Sequence, residues 1–336
     1  MSLASYLKQK TLSSLFDTPW PLPPSGPPPF GGPDSARLGL VPSQFLGQKP
    51  WRLISKLTSL SEIEANELIT FGSFWLNDRL CLDCNLKLPE GNFRLNLPNY
   101  RPTIFYQINP KRLIYRDEDL LIYFKESGPP SQGVPSDAHN NVLAAMERYT
   151  SLTLRLPHRL DAATSGLLIL AVNRLSSSRL GKAFESGKVK KRYLALASGS
   201  KPNWTTKKVK AKITKISGSY VAKDSGPGYE AETDFTVLES GEGEVLFLAQ
   251  PLTGRTHQIR LHLAYLGYPI IGDHLYGGLS APRLMLRASG LKFTHPTLGR
   301  PLIFGGPWLK IDTGLAGDIE TQGELIGDDN WLELLI

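Results

Sequence analysis

The strongest pattern along the chain is the unbroken apolar run "GLLILAV" at 166–172, preceded by the polar turn "HRLDAATS" and followed by "NRLSSSRL". A short continuous apolar run between turn signals predicts a strand buried on both faces. "KRYLALASG" and "EVLFLAQ" read the same way, and "EAETDFTVLES" alternates and joins the latter through a glycine-rich hairpin. "RLIYRDEDLLIYFKESG" reads as strand, charged turn and strand. Helical periodicity occurs in single segments. "HNNVLAAMERYTSL" places Val142, Leu143, Met146 and Tyr149 on one side, and "RLSSSRLGKAFESGK" closes at Gly187. "RTHQIRLHLAYLG" turns Ile259, Leu263 and Leu266 inward and stops at Gly267. Strands dominate and hairpins recur, which predicts an α+β fold with a mainly antiparallel sheet.

The first hundred residues follow another pattern. "PWPLPPSGPPPFGGP" at 19–33 cannot sustain a helix or a ladder, because proline removes donors and fixes φ. Residues 1–48 are therefore expected to form a flexible arm. In 49–100, Leu53, Leu57 and Leu60 share one helical face and Ala65, Leu68 and Ile69 another, with Ser61 as N-cap and Gly72 as helix stop. "FWLNDRLC" and "NFRLNL" then alternate like short strands, so a small α/β module is expected there. The main domain is expected over 101–313. Residues 314–336 form a tail in which Asp318, Glu320, Glu324, Asp328, Asp329 and Glu333 have no Lys or Arg nearby.

Charge sharpens this picture. The balance of 38 Lys+Arg against 31 Asp+Glu over 336 residues is modest, but the basic residues cluster. Between Lys182 and Lys215 run eleven of them, including Lys188, Lys190, Lys207, Lys208 and Lys210, against Glu185 alone. Such a band suits a polyanion, and a solvated charged face would carry the same composition. No apolar stretch reaches the roughly 20 residues that cross a bilayer, and "MSLASYLKQKTLSSLF" lacks a secretory apolar core, so a cytoplasmic protein is expected. Cys81 and Cys84 have zinc-site spacing without a second ligand pair, so no metal is expected there.

The chain has no phosphate loop, dinucleotide fingerprint, two-histidine metal helix or nucleophile elbow, so a reaction without metal or nucleotide cofactor is expected. Two clusters remain. Asp161 follows His158 and Arg159 and precedes Thr164, Ser165 and Gly166 at a sheet end. In "TGRTHQIRLHL", Arg255, His257 and Gln258 gather where a helix should start, with Arg260 and His262 beyond. An arginine at that electropositive end needs an anion, and Asp161 would serve, whether as a reacting group or as a buried pair. His158, His257, His262 and His295 lack convincing two-ligand spacing and are expected to be hydrogen-bonding residues.

"HRLDAATSGLLILA" resembles the signature of the RluA-type RNA pseudouridine synthases, and "KKRYLAL", "TGRTHQIRLHLAYLGYPIIGDHLYG" and "LMLRASGLKFTHPTLGRPLIF" agree in order and spacing over roughly 110–310. Residues 50–100 more loosely resemble the RNA-binding module named for ribosomal protein S-four. The resemblance implies a pseudouridine synthase catalytic fold, no cofactor, and RNA as partner, with ribosomal RNA favoured over transfer RNA; a monomer is expected. It implies Asp161 as the carboxylate that isomerises uridine, Arg255 as its ion-pair partner and Tyr193 as the ring against the target base. Arg159 would fill the stack left by a flipped-out nucleotide, with His158 and the lysines at 188, 190, 207, 208 and 210 on the RNA side. Two departures stand out: "KESG" at 125–128 where the family usually has lysine and proline, and Arg287 where a histidine is common. Neither is expected to touch the chemistry.

Overall fold

The computed structural model describes residues 36–97, 106–133, 138–216, 218–241 and 243–305. The expected arm up to 35 and the acidic tail lie outside these residues. The chain divides into two compact units, and the boundary does not follow the order of the sequence. Of the described residues, one unit holds 36–97, 106–108, 130–133 and 138–151, and the other holds 109–129 and those from 152 to 305.

In the smaller unit, helices α1 (Pro50–Thr58) and α2 (Glu62–Thr70) accompany a four-stranded sheet of order β1 (Ala36–Leu40), β4 (Asn92–Asn96), β2 (Phe74–Leu76), β3 (Arg79–Leu80). Ser61 caps α2 through a complete capping box with Glu64, as its position before the apolar positions predicts. Leu53, Ile54, Leu68, Ile69, Phe74 and Leu95 close the core. The expected boundary at residue 49 is too late, because Ala36–Leu40 pairs along β4 as an edge strand. The boundary near Tyr100 also moves. Helix α3 (Val142–Thr150) belongs to this unit, tied by the His139 N–H to the Phe71 carbonyl, while Asn140 Oδ1 accepts from the Tyr106 N–H. Its buried side is Val142, Ala145 and Met146, whereas Tyr149 faces out.

The larger unit is built on one ten-stranded sheet. Along it lie β10 (Ser219–Lys223), β9 (Thr206–Ile216), β11 (Tyr229–Gly241), β12 (Glu244–Pro251), β8 (Lys190–Ser198), β13 (Leu286–Thr294), β7 (Ser165–Ala171), β6 (Leu120–Lys125) and β5 (Leu113–Arg116), with β14 (Pro301–Gly305) on β13. Every pairing is antiparallel except β13 with β7. This is the mainly antiparallel α+β sheet expected from the sequence. Helices α4 (Arg174–Glu185) and α5 (Gln258–Tyr265) complete the unit. Every residue of β7 is buried, as its uniform apolarity requires. Where β7 meets β13, Gly166 at φ 117 has no room for a side chain, since a Cβ would collide with the Ala288 carbonyl. The glycine of "TSG" is thus set by sheet closure directly after the Asp161 turn. No helix among the described residues is long and apolar enough to cross a membrane.

Candidate active site

The Asp161 turn sits at the entry to β7. It is closed by the Thr164 N–H donating to the Asp161 carbonyl (3.0 Å). It is also clamped from the segment after β6. The Lys125 ammonium and the Gly128 N–H each donate to the Ala162 carbonyl (both 2.8 Å), and the Ser127 hydroxyl donates to the Ala163 carbonyl (2.8 Å). Lys125 spends its other two hydrogens on the Glu126 and Pro129 carbonyls (2.7 and 2.9 Å), and burial pushes its pKa down to about 7. The expectation that "KESG" lies away from the chemistry is therefore corrected: it fixes the backbone beside Asp161. Glu126, standing where the family has proline, turns its carboxylate to Arg112 (3.0 Å).

Strand β8 brings Tyr193 to the same place, paired with Ala288 and Ala249, and the loop leaving β12 supplies the remaining wall. Asp161, Arg159, Lys191, Tyr193, Arg255, His257 and Arg260 all line one open cleft. The Asp161 side chain is 36 % exposed, enough to meet a substrate. Burial and the charge of Asp161 hold the Tyr193 phenol well above its ordinary value, so it stays neutral and offers a ring, not a base.

Arg255 is not the partner of Asp161. Its Nε donates to the Glu230 carbonyl (3.1 Å) and its guanidinium lies 5.3 Å from the Tyr229 ring centroid. The helix begins later than the sequence suggested, at Gln258, because His257 is left-handed (φ 56) and the Gln258 side chain folds back to accept from the Arg255 N–H (3.0 Å). Gln258 also takes the Thr253 hydroxyl and donates to the Glu232 carbonyl and Thr233 Oγ1, so the loop is knitted from within. The arginine delivered to Asp161 is Arg260, with Nη1 4.0 Å from Oδ2, beside His257 with Nε2 at 3.9 Å. These are ion-pair distances rather than hydrogen bonds, as is common before a substrate tightens a site.

Arg260 is held from behind. Its Nε and Nη2 make a fork with Asp273 (both 2.7 Å), whose side chain is fully buried. Burial opposes the Arg260 charge, but Asp273 and then Asp161 more than compensate, so its pKa is raised. His257 donates to or accepts from the Tyr276 hydroxyl (2.7 Å); burial outweighs the pull of Asp161, and Arg260 adds repulsion, so the imidazole is held toward its neutral form. "GDHLYG" thus supplies Asp273 and Tyr276, which the sequence reading left unassigned. The fork geometry needed both ends of a long loop to be visible.

His158 does not face the cleft as an RNA contact. Its ring stacks on Phe184 (4.4 Å) and its Nε2 accepts from the Ile169 N–H (3.0 Å), anchoring the motif to β7. Burial, with help from Lys191, pushes its pKa down to about 3; burial takes His262 to about 4. Unfolded histidines bind a proton near pH 6.5 that these folded ones refuse, so stability is complete above that pH and falls as pH drops toward 3. Denaturant unfolding at pH 5 should read about 2 kcal/mol less stability per histidine than at pH 7.5. A His158→Gln variant, which keeps an acceptor for Ile169, should lose its share of that difference.

The basic band is also changed by the tertiary structure. Lys208, Lys210 and Lys212 on β9 stand directly opposite Asp234, Glu232 and Glu230 on β11, with contacts from 2.9 to 3.7 Å. The acids that neutralise this strand lie some twenty residues away in sequence. Lys207 leans on Trp204 (5.7 Å). Lys188 and Lys190 are exposed with no ion pair among the described residues. Replacing Lys207, Lys208 and Lys210 by Gln should therefore lower the slope of log affinity for RNA against log salt by less than one. A fall of two or more, the value for three phosphate contacts, would put RNA on β9.

Asp117, Asp119 and His295 bring ligand-type atoms within 4.8 Å of one another at the other end of the β6–β7 pair. Their oxygens and nitrogens already bind the Asp119 and Leu120 N–H groups, Ser176, Asn173 and each other, which makes the cluster a latch between turns.

Residues 119–265 match the family described as RNA pseudouridylate synthase. The chain is 34 % identical over 221 residues to ribosomal large subunit pseudouridine synthase C of Vibrio parahaemolyticus, covering 62 % of this chain and 67 % of that one. It is 34 % identical over 213 residues to the uncharacterized RNA pseudouridine synthase YjbO of Bacillus subtilis, covering 61 % and 75 %. This chain belongs to the RluA-type family of RNA pseudouridine synthases. The synthase is accordingly an isomerase. Its fold agrees with human RNA pseudouridylate synthase domain containing 1, at TM-score 0.50 and 28 % identity over 60 % of this chain and 85 % of that one. The alignments span about two thirds of the ribosomal relatives' length.

Proposed function

We propose that the synthase converts uridine to pseudouridine in ribosomal RNA, with Asp161 as the carboxylate that acts on a flipped-out nucleotide. The observation that carries this reading is a cleft with one carboxylate, facing two cationic or hydrogen-bonding side chains and a neutral tyrosine ring. Among the lining residues Asp161 is the single acid, whereas glycosidic hydrolysis ordinarily engages two. One carboxylate suffices for an isomerisation in which the N1–C1′ bond breaks, C5 bonds to C1′, and the proton lost from C5 is balanced by one gained at N1. Arg260 faces Asp161 and holds it aimed, and Tyr193 lies against the base. Exposed Arg159 at the cleft mouth would replace the flipped nucleotide in its stack, offsetting the few kcal/mol that flipping costs. The ribosomal substrate rests on the likeness to the large-subunit synthase of Vibrio.

The test is a map of pseudouridine in ribosomal and transfer RNA from cells with the gene intact, deleted, or restored as Asp161→Asn. Ribosomal sites lost on deletion and recovered by the wild type but not by the variant are expected. Loss confined to transfer RNA would change the substrate, and identical maps would remove the activity and leave RNA binding as the role.

A further inference from the structure

Arg255 lines the cleft but serves no group inside it, and its geometry has another use. The loop Leu252–His257 is stapled along the start of β11: the Glu232 N–H donates to Thr253 Oγ1 (3.0 Å) and the Leu252 N–H to the Glu232 carbonyl (2.9 Å). Arg255 then reaches the first residues of that strand, where the Glu230 carbonyl fixes Nε and the guanidinium lies over the ring of Tyr229. Tyr229 is 71 % exposed. An aromatic ring that open buries little apolar surface and adds nothing to the core, so packing does not explain it. The guanidinium covers one side of the ring, and the remaining exposure leaves the other available. Neither Nη of Arg255 has a partner among the described residues, which leaves donors free for a phosphate. The Glu230 carboxylate, the nearest anion in sequence, is drawn to Lys212 (3.5 Å).

We propose that Tyr229 and Arg255 form a stacking platform at the rim of the cleft, which holds an unpaired nucleotide flanking the target uridine. The base stacks on the open face of Tyr229 and its phosphate takes the Arg255 Nη donors. Planar aromatic and guanidinium groups are how proteins hold splayed-out RNA bases, and such stacking tolerates any base. The platform would keep the neighbouring nucleotide out of the helix while the uridine occupies the cleft, so it supplies substrate affinity and no chemistry. This rests on the RNA-modifying reading above.

The experiment measures binding of a twelve-nucleotide oligouridylate to the full chain and its Tyr229→Leu, Tyr229→Phe and Arg255→Gln variants across a salt series. Tyr229→Leu should weaken binding by about fivefold or more with an unchanged salt slope, because stacking moves no counterions. Tyr229→Phe should bind like the wild type, and Arg255→Gln should lower the slope by about 0.7, the single-strand value for one phosphate. With 5-iodouridine in the oligonucleotide, photocrosslinking should mark Tyr229. Binding of Tyr229→Leu within twofold of the wild type, or crosslinks that omit Tyr229, overturns the platform. In parallel, the wild type is assayed for pseudouridine formation on ribosomal RNA transcripts. Activity there with no Tyr229 effect sinks the platform alone, whereas a Tyr229 effect without activity sinks the catalytic reading and leaves the platform standing.

Discussion

Purified Asp161→Asn is expected to form no detectable pseudouridine, a loss of at least about 10⁴-fold in kcat, while binding RNA as tightly as the wild type or slightly more so. Asn has the shape of the carboxylate but can neither attack nor take a proton. The turn that carries it is fixed by backbone contacts to Thr164, Lys125, Ser127 and Gly128, none of which involves the carboxylate. The side chain is also partly exposed, so its replacement should leave the thermal midpoint nearly unchanged. Removing one negative charge from a cleft lined by Arg159, Lys191, Arg255 and Arg260 can only favour a polyanion. Single-turnover assays and filter binding on one transcript check both halves. Residual turnover within tenfold of the wild type would move the chemistry to another group.

The second large effect is at Arg260. Arg260→Lys should cut kcat by about 10²-fold or more, the usual cost of losing one oriented electrostatic group, although the charge is kept. Three of the guanidinium nitrogens are engaged at once: two in the fork with Asp273 and the third toward Asp161. An ammonium is one point and cannot span both. Asp273→Asn should be costly in a different currency, since it leaves the Arg260 charge buried without its counterion, and a loss of about 3–5 kcal/mol in stability is expected. Arg255→Lys, by contrast, should appear in KM, because Arg255 turns to Glu230 and Tyr229. A kcat loss at Arg255 with none at Arg260 would reverse the two assignments.

The sequence by itself determined the sheet-dominated α+β class, strands β5–β8, β11 and β12, the capped helix at Ser61, and the suspicion that fell on Asp161 and Tyr193. These are local matters: side-chain period, turn chemistry and a motif that is continuous along the chain. Tertiary structure decided the rest, because it depended on groups brought together from far apart. The choice between Arg255 and Arg260 turned on a left-handed His257 that delays the helix by three residues, a backbone state that side-chain patterning does not announce. The lysine band looked unopposed until β11 laid Glu230, Glu232 and Asp234 against it in register. His158 became a fold anchor once β7 offered it the Ile169 N–H. "KESG" became part of the site once sheet pairing set Lys125 opposite Gly166. For the lysine band and for "KESG" the deciding interaction is an ion pair or hydrogen bond whose two partners are distant in the chain, and only the folded sheet sets their distance.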